Sequence, residues 1–390
     1  MRPGKANTVC RNIYVVADNI ISSLGSSTSE NFSALLRGET GVQLHEAGKI
    51  SPVPFFGSLF SEDFWQQNKM PGFTRFEQLL ILSAKAAIQQ SGVSPSEPST
   101  AFIISSTKGN ISLLEEKEVS NGLKNEISLS TSAQKVATHL GFTSKPLVIS
   151  QACISGVVAF ITARRLLQAG LYKNVVIVGA DLITRFVLSG FQSFQAVSDE
   201  LCRPFDAGRK GINLGEAAAS VVLSDTSPAI PNPIQLTGGA ISNDANHISG
   251  PSRTGQELFL AISGAMQQAE VSAKQIDFIS LHGTATLYND DMESRAVTLA
   301  ALNTVPVNSL KGYYGHTLGA AGLLESVISI QSLRENIILP TKGFAQPGTV
   351  ENINVCSTLQ PTPLATCLKT ASGFGGCNAA VVWQKTTAVA

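Results

Sequence analysis

Short runs of β-branched and apolar residues alternate along the chain with stretches whose apolar positions recur every three to four residues. That alternation is the pattern of buried, largely parallel strands joined by crossover helices. In the first half it predicts strands over 12–21, 101–106, 146–150 and 175–180, and helices over 30–36, 76–90, 132–140 and 155–168. From about Ile234 the pattern restarts, with strands over 235–241, 278–281 and 305–309 and helices over 255–269, 292–302 and 320–334. A closing hairpin through 367–372 and 379–383 ends it. Between the two series lies Asp225-Thr226-Ser227-Pro228-Ala229-Ile230-Pro231-Asn232-Pro233, whose prolines and small polar residues read as a linker. An internal duplication is expected, one half over 1–226 and the other over 234–390.

Corresponding late elements of the two halves share a form: a strand, a sharp Gly/Ser-rich turn and a helix of small residues. One is Ile149-Ser150-Gln151-Ala152-Cys153-Ile154-Ser155-Gly156, the other Gly315-His316-Thr317-Leu318-Gly319-Ala320-Ala321-Gly322. Small residues let two such helices approach closely, so both turns are expected to meet at a shared site.

Length and composition narrow the class. At 390 residues, 43% hydrophobic and 14% charged, the chain suits a compact α/β protein, either two packed lobes or one large layered unit. The 28 basic and 28 acidic residues balance, which argues against a global field for nucleic acid or anionic lipid. The six cysteines (Cys10, Cys153, Cys202, Cys356, Cys367, Cys377) form no CxxC pair and no dense framework, so neither a metal site nor a disulfide scaffold is expected. No signal-peptide core follows Met1 and no run is long enough to span a membrane, which points to the cytoplasm.

Cys153 is the candidate nucleophile, because it follows a strand and opens a helix, where unpaired N–H groups and the helix dipole favour a thiolate. A helix end worth up to ~2 kcal/mol would bring a thiol from about 8.5 to roughly 7, with no adjacent base required. His282 and His316, each after a strand and before a Gly or Thr turn, would then be free to donate hydrogen bonds to a thioester oxygen as it becomes an enolate. Lys311, shortly before His316, would keep a nearby imidazole neutral. Phe374, among three glycines, would place its N–H with that of Cys153 as an oxyanion hole. His45, His139, His247 and the other five cysteines read as structural.

Taken together, Gln151-Ala152-Cys153, Arg203-Pro204-Phe205-Asp206, His282-Gly283-Thr284-Ala285-Thr286, Lys311 with Gly315-His316-Thr317-Leu318-Gly319-Ala320-Ala321-Gly322, and Gly373-Phe374-Gly375-Gly376 resemble the β-ketoacyl-acyl carrier protein synthases of the thiolase superfamily. The resemblance covers nearly the whole chain. It implies a five-layered α-β-α-β-α sandwich of two pseudo-symmetric halves, working as a homodimer or beside a second ketosynthase-like chain. It further implies a catalytic set of Cys153, His282, His316 and Lys311, with Glu325 in support, Thr284 and Thr286 on the phosphopantetheine arm, and Phe374 as a gate. The implied partner is acyl carrier protein, for which Lys69, Arg75 and Lys124 are candidate contacts. No cofactor beyond the carrier's phosphopantetheine is implied.

Departures from the family pattern suggest a specialised member. The opening turn, usually rich in Gly and Pro, reads Val15-Val16-Ala17-Asp18-Asn19-Ile20-Ile21-Ser22-Ser23-Leu24-Gly25; the Gly-Glu-Gly-Ala segment is Gly215-Glu216-Ala217-Ala218. Ser372 replaces an aromatic two places before the gate and would widen it, and Cys377 replaces a Thr. Two alternatives stay open. A thiolase would use a second cysteine, for which Cys377 is placed, but such enzymes lack the His-Gly-Thr-x-Thr element. A non-catalytic chain-length partner would have lost the nucleophile that this chain keeps.

Overall fold

The computed structural model describes residues 11–245 and 250–386, so Cys10 and His247 lie outside the described residues. Ten strands form its spine, numbered here in chain order: β1 (Tyr14–Ser22), β2 (Thr100–Ser105), β3 (Leu147–Ile149), β4 (Asn174–Asp181), β5 (Ala217–Ser224), β6 (Ile234–Asn243), β7 (Phe278–Ser280), β8 (Val307–Asn308), β9 (Thr366–Gly373) and β10 (Cys377–Lys385). They hydrogen-bond in the order β8-β7-β9-β10-β6-β1-β5-β4-β2-β3. This is one five-strand pattern used twice. In each half the first strand runs antiparallel to the fifth and the fifth antiparallel to the fourth, while the second runs parallel to the fourth and the third. The two fives meet at Tyr14 opposite Gln235.

Eight helices position the site: α1 (Arg75–Ser91), α2 (Leu129–Leu140), α3 (Ser155–Gln168), α4 (Arg185–Ser193), α5 (Gln256–Ala269), α6 (Leu287–Leu299), α7 (Lys311–Tyr314) and α8 (Ala321–Glu335). Helix α1 covers the outer face of β1, β4 and β5, and α5, backed by α6, covers β6 and β10. Between the two sheets lie α3 and α8, which touch each other and strands of both halves. The result is the five-layered α-β-α-β-α sandwich.

Glycine makes the central contact possible. A Cβ on Gly156 would lie 2.4 Å from the backbone nitrogen of Leu323, and one on Gly322 would lie 2.7 Å from Val157 Cγ2. Any side chain at either position would push the helices apart and separate the turns that precede them. Helix α8 is enclosed on every side, with Leu323, Leu324, Val327, Ile328, Ile330 and Leu333 all buried.

The expected elements agree with the fold apart from their ends, but helix α4 over Arg185–Ser193 and strand β5 have no counterpart among them. Strand β5 was not predicted, because Ala217-Ala218-Ala219 carries no β-branched signal, yet all eight of its residues are buried. Helix α6 begins at Leu287, five residues before the expected start, directly after extended Thr286, whose side chain makes no capping hydrogen bond. The unusual opening segment continues as β1 to Ser22, and its buried Asp18 pairs with half-buried Arg334 at 2.7 Å. Among the described residues no helix is long and apolar enough to cross a membrane.

Candidate active site

After β3 the chain reverses at Ala152, whose φ of +44° is a left-handed conformation that an L-residue adopts at a cost of ~1–3 kcal/mol. Ser155 holds this corner: its hydroxyl donates to the Ala152 carbonyl at 2.6 Å and accepts from Gln151 N–H at 2.8 Å. Cys153 is thus presented two residues before α3 and is buried.

His316 comes from the equivalent corner of the second half, in the segment between α7 and α8. Its N–H donates to the Asn213 carbonyl at 2.7 Å, and its carbonyl accepts from Gly215 N–H at 3.0 Å. Its Nε2 lies 2.9 Å from Cys153 Sγ. Leu318, two residues on, carries a φ of +51°, a second left-handed position beside a reactive side chain.

His282 leaves the end of β7. Glu293 on α6 accepts its N–H at 2.7 Å and that of Gly283 at 2.6 Å. Asp290, one helical turn away, accepts Thr284 N–H at 3.0 Å and Phe205 N–H at 2.7 Å. The two imidazoles stand edge to face with centroids 5.1 Å apart, and one ligand atom each of Cys153, His282 and His316 falls within 4.8 Å of the others. The expected convergence of the two corners is therefore met.

Lys311 is fully buried. Its ammonium donates to the His282 carbonyl at 3.0 Å, approaches His282 Nδ1 at 3.5 Å and pairs with Glu325. An ammonium against Nδ1 requires that nitrogen to accept, which leaves the imidazole proton on Nε2. The second Glu325 oxygen pairs with Lys369 at 2.7 Å.

The electrostatics depart from the expectation at the sulfur. Burial, followed by the neighbouring Cys377, pushes the Cys153 thiol up to about 12, against the opposing pull of Lys311. Ionising such a thiol at neutral pH would take several times the ~2 kcal/mol a helix end supplies. Burial thus favours the neutral form of both the thiol and the neighbouring imidazole, and His316 Nε2 is an adjacent proton acceptor. Burial holds both histidines well below 6.5, reinforced at each by Lys311 and Lys369.

Cys153, His282 and His316 open into one cavity of about 530 Å³. Thr284, Thr286, Ser372 and Phe374 also line it, and the Thr284 and Thr286 hydroxyls are 2.8 Å apart. Phe374 stacks on Phe191 with centroids at 5.6 Å and leans on Phe194 at 5.2 Å. The space expected from Ser372 is thereby offset by two rings that sequence reasoning did not single out. Ser372 itself donates to Asn378 at 2.8 Å. Gly373 is required where it is, because a Cβ there would meet Cys153 N at 3.0 Å. Cys377 is buried beside this strand, with its thiol pushed up to about 11 by burial.

Lys69, Arg75 and Lys124 are exposed and do not line the cavity. Arg75 pairs with Glu62 at 2.7 Å and lies over the Trp65 ring at 4.9 Å, so part of its charge is already answered.

Sequence reasoning also missed Glu293, Asp290 and Lys369. All three are fully buried; Glu293, between Met292 and Ser294, and Lys369, inside an apolar strand, carried a signal, whereas Asp290, between Asn289 and Asp291, carried none.

Two related α/β halves with a thiol and two imidazoles at their junction define the class: an enzyme-like protein of the thiolase fold. Family models described as "Beta-ketoacyl synthase, N-terminal domain" and "Beta-ketoacyl synthase, C-terminal domain" match residues 11–229 and 235–345. The chain belongs to the β-ketoacyl synthase family. A putative mitochondrial 3-oxoacyl-[acyl-carrier-protein] synthase of Schizosaccharomyces pombe is 26% identical, across 96% of this chain and 99% of its own. The 3-oxoacyl-[acyl-carrier-protein] synthase 2 of Vibrio harveyi is 28% identical over the same shares. Among solved structures, the ketosynthase ApeO of Xenorhabdus doucetiae, in complex with its chain length factor ApeC, aligns with a TM-score of 0.82 and 26% identity. That alignment covers 96% of this chain and 98% of the matched chain of the complex.

Proposed function

We propose that the chain is an elongating β-ketoacyl-acyl carrier protein synthase that condenses a Cys153-bound acyl group with malonyl-acyl carrier protein. The observation that carries this reading is the 2.9 Å approach of His316 Nε2 to Cys153 Sγ in a cavity shared with His282. In the first half-reaction Sγ attacks the acyl thioester carbonyl as its proton passes to His316 Nε2. The phosphopantetheine thiolate leaves and takes that proton. In the second, the malonyl carboxylate departs as carbon dioxide, and its bonding electrons form an enolate whose oxygen accepts from His282 and His316. The enolate carbon attacks the acyl carbonyl, whose oxyanion is met by the N–H groups of Cys153 and Phe374. Collapse expels the Cys153 sulfur, which is reprotonated.

His316 must accept in one half-reaction and donate in the other. Its Nδ1 has no hydrogen-bond partner among the described residues, so neither tautomer is locked. Thr284 and Thr286 accompany the phosphopantetheine arm and Phe374 with Phe191 and Phe194 gates the acyl end, a reading supported by their shared lining of the cavity. No metal or further cofactor enters the scheme. Intact-mass analysis after incubation with an acyl-acyl carrier protein tests it: one acyl mass on Cys153 is expected, and an unmodified protein that still condenses would overturn it.

Because both imidazoles are held below 6.5, they stay neutral at physiological pH and gain protons only well below that value. Release of carbon dioxide from malonyl-acyl carrier protein is therefore expected to hold level from neutrality down to about pH 6.5 and to fall only at lower pH.

The partner is acyl carrier protein, and the second subunit is a ketosynthase-like chain, identical or not. ApeO's assembly with a chain length factor supports the latter, as does the unpaired edge of β3, where Leu147 is exposed. For the carrier, Lys69→Glu is expected to raise KM several-fold for carrier-borne substrates while sparing acyl-pantetheine thioesters. Arg75→Glu should do less, since Glu62 already pairs with it. Equal KM values for wild type and Lys69→Glu would remove Lys69 from the interface.

A further inference from the structure

A second lysine stands in the machinery with no part in the scheme above. Lys369 lies in the middle of β9, with no exposed surface. Its ammonium donates to the carbonyls of Ser280 and Leu281, each at 3.2 Å, and pairs with Glu325 at 2.7 Å. Burying an ammonium in an apolar strand is costly unless it is fully partnered, so an ordinary core position would carry an apolar residue.

Consider the cluster without it. Lys311 and Glu325 alone would form a neutral pair, and the field of the ammonium at His282 would be largely cancelled by the carboxylate beside it. With Lys369 on the other oxygen, one carboxylate is shared between two ammonium groups. The charged groups facing Lys369 are Glu325 from α8, Lys311 from α7 and Glu293 from α6. The imidazoles of His282 and His316 both feel its charge. Burial lowers the pKa of Lys369 itself, and Glu325 opposes that shift.

We infer that Lys369 is a positioning residue for the malonyl half-reaction: it clamps the second oxygen of Glu325 and the last carbonyls before His282, and so leaves the Lys311 ammonium effective in fixing the tautomer and charge of that imidazole. This rests on the reading of His282 as a donor to the enolate. Lys369 touches no reacting atom; its effect passes through Glu325, Lys311 and the end of β7.

The test uses the full chain with Lys369→Met, which keeps an unbranched side chain out to the ε position and removes the charge. Carbon dioxide release from malonyl-acyl carrier protein is followed against pH, and acylation of Cys153 by intact mass. A unit charge some ~10 Å away at the effective dielectric of a protein is worth roughly one pKa unit. The acid limb of decarboxylation should therefore move up by about one pH unit, with acylation within about twofold of wild type. An acid limb that stays where it was overturns the proposal, whether the rates hold or both half-reactions fall together as a purely structural lesion would make them. If Lys369→Met does not fold, Lys369→Gln, which keeps a donor for the carbonyls and loses the charge, is read in the same way. His282→Ala tests the underlying reading separately: wild-type decarboxylation that this variant does not slow removes the donor role, whatever Lys369→Met does.

Discussion

Cys153→Ala is expected to abolish condensation, with a loss of roughly 10⁴-fold or more, while carbon dioxide release from malonyl-acyl carrier protein persists. In the proposed scheme the sulfur only carries the acyl group, and the groups that face the enolate are imidazoles, which remain. Structural damage should be small, because the substitution removes one atom from a buried site, at a cost of about 1 kcal/mol. The corner itself is held by Ser155 through the backbone of residues 151 and 152, not by the thiol. Intact mass should show no acyl adduct on the variant, and the folded variant should retain the wild-type melting temperature within a few degrees. A Cys153→Ala protein that still elongates would show that the acyl group is carried elsewhere. Cys377, buried and in contact with the Phe374 carbonyl, is the next thiol to examine in that event.

What could be read from the chain differs by kind of interaction. The strand and helix series was legible because burial between layers imposes the two periodicities on the sequence, and the duplication followed because the series repeats. Strand β5 escaped because alanine satisfies a crowded central position without announcing a strand. Cys153, His282 and His316 were legible from the turns that carry them. Their local environment was not, since it is built from distant segments: Glu293 and Asp290 fasten the His282 turn from α6, and Lys369 reaches Glu325 from β9. The left-handed residues Ala152, Ala285 and Leu318 show the same limit. None is glycine, so nothing in the sequence marks them as strained, yet each sits within three residues of a reactive side chain and is held there by tertiary contacts.

The same environment separates the two histidines, which the sequence treats alike. Its expectation is that replacing either one slows decarboxylation and spares acylation. The 2.9 Å contact between His316 Nε2 and Cys153 Sγ, together with a thiol pushed up to about 12, changes half of that. His282→Ala removes one donor to the developing enolate oxygen and should lower decarboxylation by about 10²–10³ while leaving the acylation rate near wild type. In the proposed scheme His282 has this single task, with its Nδ1 engaged by Lys311 and its backbone by Glu293. His316→Ala should lower decarboxylation by a similar factor and also slow acylation by roughly 10²-fold or more, because the thiol loses the acceptor for its proton. Raising the pH should recover part of that acylation loss in His316→Ala and none of the decarboxylation loss in His282→Ala, since hydroxide replaces a base but not a hydrogen-bond donor. Single-turnover acylation by intact mass, set beside carbon dioxide release for the two variants, measures all four rates. Equal acylation by His282→Ala and His316→Ala would mean that Cys153 ionises without its neighbour, and the division of labour drawn from the geometry would fall.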